Sequence, residues 1–439
     1  MRVMKSLIKI ILPLFVIAIV FGVGFFAWKL VNKSTNSNST NSSASVSLEY
    51  WGLYESEAVM QKLINVYQEE HPNVKIKYVQ KTFDNLDSYR STLTTRLTQG
   101  SGPGMFRMHS TWTDSLFTEI APAADQLSYE DYEKRFYPVS LNQCTGPTTR
   151  KVYCVPIMYD GLVLLYNKNM YKDANITPQI VSWEDLRQAA IRLTVVDEKN
   201  NILKSGLAMG TSNNVSNFSD VIALMFLQSD IKFPENLDTT SAMQIFSFYK
   251  SFANDSQIWN ESMPNSIKSF AAEQTAMVFA KSTDILEILR INPTLDFGVL
   301  PVPQLPKLGG GATSKNWASF FVESVSADLD ENQQKEAWKF LDWLSKPEQQ
   351  ILRFNEASVI NPRKFGEAYG NAQLKNNLIN SPLLGPILQG APTAETSVLA
   401  DDSGNGPVID KLRVLIDDTS QKSPEELKIE IESFKSMIK

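Results

Sequence analysis

Residues 155–169 read VPIMYDGLVLLYNKN. A proline stands at position 156. Tyr159 and Asp160 follow, then the unbroken aliphatic run Leu162–Leu165, then the polar Tyr166-Asn167-Lys168-Asn169. An aliphatic run without alternation reads as a strand buried on both faces. Such strands belong to sheets covered by helices, so the stretch points to an α/β fold. The carboxylate and phenol just ahead of so apolar a strand ask for a role other than packing.

The flanking sequence agrees with that class. SLEYWG, from Ser47 to Gly52, reads as a strand. EAVMQKLINVYQEE places Val59, Leu63, Ile64, Val66 and Tyr67 at helical spacing, and His71-Pro72-Asn73 stops it. Val74, Ile76 and Tyr78 then alternate as a strand. This β-α-β order predicts a parallel sheet. A helix over 86–98 and a short strand at 105–108 follow.

Further on, residues 166–291 are mostly helical. Ser182-Trp183-Glu184-Asp185 forms a capping-box pattern. Strands are expected at 276–279, 296–301 and 320–325. Asp330 caps a long helix over 331–344, and SPEELKIEIESFKSMI closes the chain as an amphipathic helix.

The chain has 439 residues, too many for one ordinary core and enough for two lobes. Its 43% hydrophobic and 21% charged residues are those of a folding chain. A net charge of -6 offers no basic field to nucleic acid.

Arg2, Lys5 and Lys9 precede an apolar run from Ile10 to Trp28. The run nearly meets the ~20 residues needed to span a bilayer, and the basic flank places the N-terminus in the cytoplasm. An uncleaved anchor over 1–31 is expected, with a cleaved signal peptide as the alternative. No Cys follows the run to carry lipid. Residues 32–45, rich in Ser, Asn and Thr, read as a flexible tether. The globular part is expected outside the membrane.

Cys144 and Cys154 are the two cysteines. In an exported chain they most simply form a disulfide, with free or metal-bound thiols as the alternative. The chain's 2 His leave a zinc site short of ligands. No metal or cofactor is expected.

Catalytic motifs are missing: no G-x-S-x-G, no H-E-x-x-H, no P-loop. Gly22–Ala27 matches a dinucleotide pattern only inside the membrane run. His71 sits in a turn and His109 stands alone. Asp401-Asp402-Ser403-Gly404-Asn405-Gly406 faintly resembles a calcium loop, but Leu412 stands where a bidentate Glu is needed, so it reads as a plain loop.

What remains is aromatic. Trp28, Trp183, Trp338 and Trp343 have structural explanations on their elements. Trp51, Trp112, Trp259 and Trp317 stand in or beside predicted loops. Flat aromatic faces together with carboxylates and amides suit sugar rings, against the bland reading that each Trp is core-packed.

The chain resembles an extracellular solute-binding protein of family 1, the maltose-binding type that serves ABC importers. The resemblance is carried by LEYWGLYESEAVMQKLINVYQEEHPNVKIKYV, LTTRLTQGSGPGMF, VYCVPIMYDGLVLLYNKNMY with PQIVSWEDL, AMVFAKSTDIL, DFGVLPVPQLP and GGGATSKNWASFFVESV through EAWKFLDWLSKPEQQ. Gly104 departs from it, standing where Asp is usual.

The resemblance implies a type II periplasmic-binding-protein fold. Each lobe would carry a mostly parallel sheet flanked by helices, with a cleft between lobes. Residues 46–157 with 318–365 would form one lobe, and 158–317 with 366–439 the other. It also implies that the segment after Pro156 is a hinge crossing. Tyr159 and Asp160 would then face the cleft, Asp160 as an acceptor for sugar hydroxyls. Thr111 and Trp112, Tyr54 and Glu55, and Trp317 as an aromatic platform would line it. Thr283 falls where some relatives keep a Trp, and Trp259 is included without a firm counterpart.

The implied protein is a monomeric, non-catalytic, membrane-anchored binding component. It would capture a mono- or oligosaccharide or related polar solute by closing, and pass it to an ABC permease. Polyols, glycerol phosphates and polyamines are further ligand classes; Lys281 and Lys315 are the candidates for a phosphate. A glycan-active enzyme, or a ligand-sensing receptor subunit on the same fold, is the alternative.

Overall fold

The computed structural model describes residues 45–439 except 235, 236, 238, 256, 307–313, 361–366, 420 and 439. The expected anchor, and the tether up to residue 44, lie outside the described residues. No helix among those described is long and apolar enough to cross a membrane.

Two main sheets are built from β1 (Val46–Leu53), β2 (Val74–Lys81), β3 (Met105–His109), β4 (Val163–Asn167), β5 (Met277–Ala280), β6 (Phe297–Leu300) and β7 (Phe321–Val325). The helices that bear on the site are α1 (Glu57–Glu70), α2 (Leu86–Thr98), α3 (Phe218–Gln228), α4 (Ser282–Ile291), α5 (Glu331–Leu344), α6 (Pro347–Ile360) and α7 (Gly406–Asp418).

The first sheet has the order β7-β3-β1-β2. β1 runs parallel to both β2 and β3, as the β-α-β reading requires, and β7 closes the edge antiparallel to β3. α1 begins where the Ser56 hydroxyl accepts from the Val59 amide. It buries Val59, Met60, Leu63, Ile64 and Tyr67 as one stripe. Gly104 leads into β3 against Leu329, whose methyls would lie 3.3 Å from an added Cβ.

The second sheet has the order β5-β4-β6. β4 is the strand of the quoted stretch, and it lies in the centre with Leu164 and Leu165 wholly buried. It runs antiparallel to both neighbours. The expectation of a mostly parallel sheet in each half is corrected here. β5, α4 and β6 form a right-order β-α-β crossover, but β4 is inserted between its two strands and runs the other way. The apolar pattern is the same for either direction, which is why the sequence could not decide it.

The chain passes between the sheets in adjacent segments. Val155 bridges Glu323 and Gly161 bridges Ala318, both antiparallel. Residues 158–159 pair antiparallel with 368–369, and 316–317 pair in parallel with 394–395. Gly161 is needed where these passages meet: a Cβ there would lie 2.9 Å from the Trp317 carbonyl oxygen.

Cys144 and Cys154 are joined, with Cα atoms 4.9 Å apart. Cys144 ends the helix Pro138–Cys144, and Tyr153 N donates to the Cys144 carbonyl at 2.8 Å. The bond thus pins a short turn-rich loop beside the first sheet, a few residues before the crossing. In the loop-closure account, a bridge over about ten residues stabilises by about 2–3 kcal/mol. A Cys144→Ala, Cys154→Ala double variant should lose about that much, read as a lower urea midpoint.

Candidate functional site

The seam between the two sheets carries a buried polar network. Its centre is Lys281, between β5 and α4, whose side chain is 5% exposed. Nζ donates to Asp220 Oδ2 at 3.1 Å and to Asp402 Oδ1 at 3.0 Å. Asp220 comes from the first turn of α3. Its Oδ1 accepts from Trp317 Nε1 at 2.6 Å and from the Asp401 amide at 3.2 Å. Asp402 lies on the loop ahead of α7, and its Oδ1 also accepts from the Ser319 hydroxyl. Ser319 Oγ is 3.0 Å from His109 Nε2, and His109 Nδ1 is 2.8 Å from Thr111 Oγ1. His109 ends β3, so the network runs from the first sheet to the second half through the chain's last quarter.

Burial governs the charges. It works to discharge Lys281, but the Asp220 and Asp402 carboxylates outweigh it and hold the ammonium protonated. Burial pushes the Asp220 carboxyl up, with Lys281 opposing. For Asp402, burial is overcome by Lys281, His109 and Ser319, and the carboxyl stays below its ordinary range. His109 is pushed down to about 4, by burial first, against the pull of Asp402. It is therefore a neutral imidazole at physiological pH.

The expected site residues fall in different places. Asp160 is 8% exposed and both of its oxygens are engaged. Oδ1 accepts from the amides of Gly161 at 2.8 Å and Ser282 at 2.9 Å, and Oδ2 from the Ser282 hydroxyl at 2.7 Å. Burial raises its carboxyl to about 7 against these donors. In this arrangement Asp160 caps α4 from across the seam. Tyr159 is buried, its ring 4.9 Å from Tyr137 and 5.8 Å from Phe320. Glu55 is buried in an ion pair with Arg353 of α6 at 2.7 Å.

Of the four loop tryptophans, all are buried. Trp51 donates to Glu49 and lies under the Lys81 ammonium. Trp112 donates to the Ser403 carbonyl and is tilted against Tyr89. Trp259 donates to Asn214 Oδ1 at 3.0 Å in the second half. Trp317 belongs to the network through Asp220. Its ring also lines a cavity of about 280 Å³ with Phe226, Phe233 and Thr396. Thr283 is exposed on the first turn of α4.

Tyr54 is different. It is 61% exposed, with φ +64°, directly after β1. Its ring meets Phe321 edge-on at 5.5 Å, and Phe321 meets His109 edge-on at 5.3 Å. The left-handed backbone at Tyr54 is held from below: Arg107 Nη1 donates to the Leu53 carbonyl at 2.7 Å and Nε to Glu323 at 2.6 Å. Thr111 is half-buried beside His109.

Sequence reasoning missed Asp220, Ser319 and Asp402, and set His109 aside as alone. Asp220 lies 61 positions from Lys281, and Ser319 lies 210 from His109. No local spacing carries such a constellation.

Two α/β halves joined by several adjacent passages, with polar groups gathered on the seam, define a periplasmic-binding-protein fold. This is the architecture of proteins that take up a solute between two lobes. The chain belongs to the bacterial extracellular solute-binding protein family, whose pattern it matches over residues 51–351.

A binding protein of Brucella abortus (strain 2308) is 21% identical over 291 residues, which cover 63% of this chain and 66% of that protein. The match therefore spans just under two thirds of that relative's length. Among solved structures, an ABC transporter solute-binding protein from Thermotoga lettingae bound with α-D-tagatose superposes with a TM-score of 0.66 at 17% identity. The superposition covers 90% of this chain and 100% of the other. The maltose/maltodextrin-binding domain from Bdellovibrio bacteriovorus bound to maltotriose gives 0.65 at 18%, covering 89% and 99%.

Replacing Lys281 with Met leaves Asp220 and Asp402 buried without their cation. Breaking one partner of such a network costs about 3–5 kcal/mol, which chemical denaturation should read directly. His109 supplies a pH test. Its folded pKa of about 4 is below the unfolded value of about 6.5, so the unfolded chain binds the extra proton between them. Its contribution is complete above about pH 6.5 and falls as pH drops towards 4. A His109→Gln variant should lose less stability than the parent over that window. In the parent, the ring should stay neutral by NMR down to about pH 4.

Proposed function

We propose that the chain is the extracytoplasmic solute-binding component of an ABC importer, and that its ligand is a mono- or oligosaccharide captured by hinge closure. The observation that carries this reading is the seam itself. Groups from both sheets meet there across short adjacent passages of chain, and membership of a solute-binding family supports reading that seam as the place where a solute is received.

The lobes in this reading are residues 46–157 with 318–365, and 158–317 with 366–439. The passages at 155–161, 316–319 and 368–369 form the hinge. A ligand that touches both lobes only when they are shut shifts the population towards the shut form. The saccharide assignment draws on the tagatose and maltotriose held by the structural neighbours. It also draws on the aromatic and carboxylate groups at the seam. Of the two basic groups considered for a phosphate, Lys281 is committed to two carboxylates and Lys315 pairs with Glu395 at 2.8 Å.

Residues 1–31 act in this proposal as a membrane anchor and 32–45 as a tether. Confinement near the permease raises the effective concentration of the binding lobes there. The partner is the permease, reading closure from both lobes.

The test is a thermal melt of the full-length protein in detergent with maltotriose, mannobiose, D-tagatose, glycerol and spermidine. A true ligand at 100 times its dissociation constant adds about 2.7 kcal/mol, and the melting temperature rises accordingly. Stabilisation by a saccharide supports the proposal. A panel in which none stabilises, or in which the saccharide is cleaved, overturns it.

A further inference from the structure

The carboxylates at the seam are not equivalent. Asp160 has both oxygens filled by donors from Ser282 and Gly161. Asp220 has both filled as well, by Trp317, the Asp401 amide and Lys281. Asp284 Oδ2 accepts from the Lys281 amide and from Asn217. Asp402 differs. All of its contacts, to Lys281, Ser319 and His109, converge on Oδ1. Oδ2 has no partner among the described residues, and the side chain is 26% exposed.

A chain of side-chain contacts links this carboxylate to the exposed Tyr54. His109 Nε2 lies 4.0 Å from Asp402 Oδ1. Phe321 packs edge-on against His109 at 5.3 Å, and Tyr54 edge-on against Phe321 at 5.5 Å. Tyr54 is the exposed end of that series. An acceptor-only oxygen beside an aromatic face suits a ring bearing hydroxyl or ammonium donors. The buried Lys281 ammonium fixes the carboxylate in place and keeps it ionised.

The charges around this oxygen are mixed: Lys281 lies against the carboxylate, and Arg90 reaches the Gly404 carbonyl of the same loop at 3.4 Å. Asp401, exposed on the same loop, adds a second carboxylate. The basic groups of the seam are spent: Lys281 on Asp220 and Asp402, Arg107 on Glu323 and the Leu53 carbonyl. His109 has both ring nitrogens engaged. An anionic ligand brought to this oxygen would meet the like charge of Asp402, with Lys281 and Arg107 already committed to carboxylates.

We propose that Asp402, with Tyr54 as the adjoining wall, is the ligand-facing carboxylate, so that the cleft takes neutral or amine-bearing saccharides and rejects phosphorylated and uronic ones. This inference rests on the saccharide reading above. It assigns the acceptor role to a loop residue instead of Asp160.

The experiment uses the full-length protein in detergent, with calorimetric titration of maltotriose, acarbose, glucose 6-phosphate and galacturonate. Maltotriose or acarbose should bind the parent, and the two acidic sugars should not. Asp402→Asn should weaken the binding sugar at least tenfold, and Tyr54→Ala should weaken it by a similar factor while leaving the melting temperature nearly unchanged. Should Asp402→Asn not fold, Asp402→Glu and Tyr54→Ala decide the matter. Equal affinity in the folded variants and the parent overturns the inference but leaves the saccharide reading standing. Tight binding of either acidic sugar also overturns it. Binding of neither neutral nor amine-bearing sugar by the parent removes both proposals together.

Discussion

The seam depends on one buried ammonium. Moving Lys281 out of water costs several kcal/mol, and only well-placed acceptors offset that cost. Asp220 on α3 supplies one and Asp402 on the loop before α7 supplies the other. Each acceptor is itself held by further groups: Asp220 by the Trp317 indole, Asp402 by the Ser319 hydroxyl. Segments from four parts of the chain must therefore be in place at once. The same loop then reaches the first half directly, where the Gly406 amide donates to the Asp87 carboxylate at 3.1 Å. Gly404, with φ +59°, lies against Leu86 and Trp112 where no side chain would fit. Position of the loop and charge of the lysine are one problem with one solution.

The first sheet solves a similar problem for a different end. Arg107 and Glu323 are directly opposite in the β3–β7 ladder and wholly buried. The guanidinium has donors left over, and one reaches the end of β1 at the Leu53 carbonyl. That bond anchors the turn in which Tyr54 takes its left-handed backbone. Arg353 does the same for the next residue by pairing with Glu55. These buried charges are paired with one another, and the Tyr54 ring at the rim is what they present.

The quoted stretch shows how far sequence alone carries. Leu162–Leu165 announced a covered strand, and β4 is buried on both faces at the centre of its sheet. α2 over 86–98 and α5 behind its Asp330 cap also follow from spacing and capping, which are local rules. Strand direction was not legible, because a strand buried on both faces has the same composition either way. The tryptophans illustrate a second limit. Position beside a loop does not tell whether an indole faces solvent or a neighbour. Trp112 and Trp317 are fixed by partners at Ser403 and Asp220, residues remote in sequence. Asp402 was passed over as a loop residue because what gives it meaning is Lys281, 121 positions earlier.

A polar seam also bears on how two lobes could open and shut. An apolar seam of the same area would gain free energy whenever it closed, guest or no guest. A seam of paired charges and hydrogen bonds largely exchanges water partners for protein partners, and replacing such pairs with apolar groups is often stabilising. The net preference for closure is then small. That is the condition under which a guest of modest affinity can decide the equilibrium, since a ligand shifts two states only by its differential affinity for them. The open oxygen of Asp402 sits where that difference would be made: it belongs to the network that joins the halves, yet keeps one acceptor in reserve.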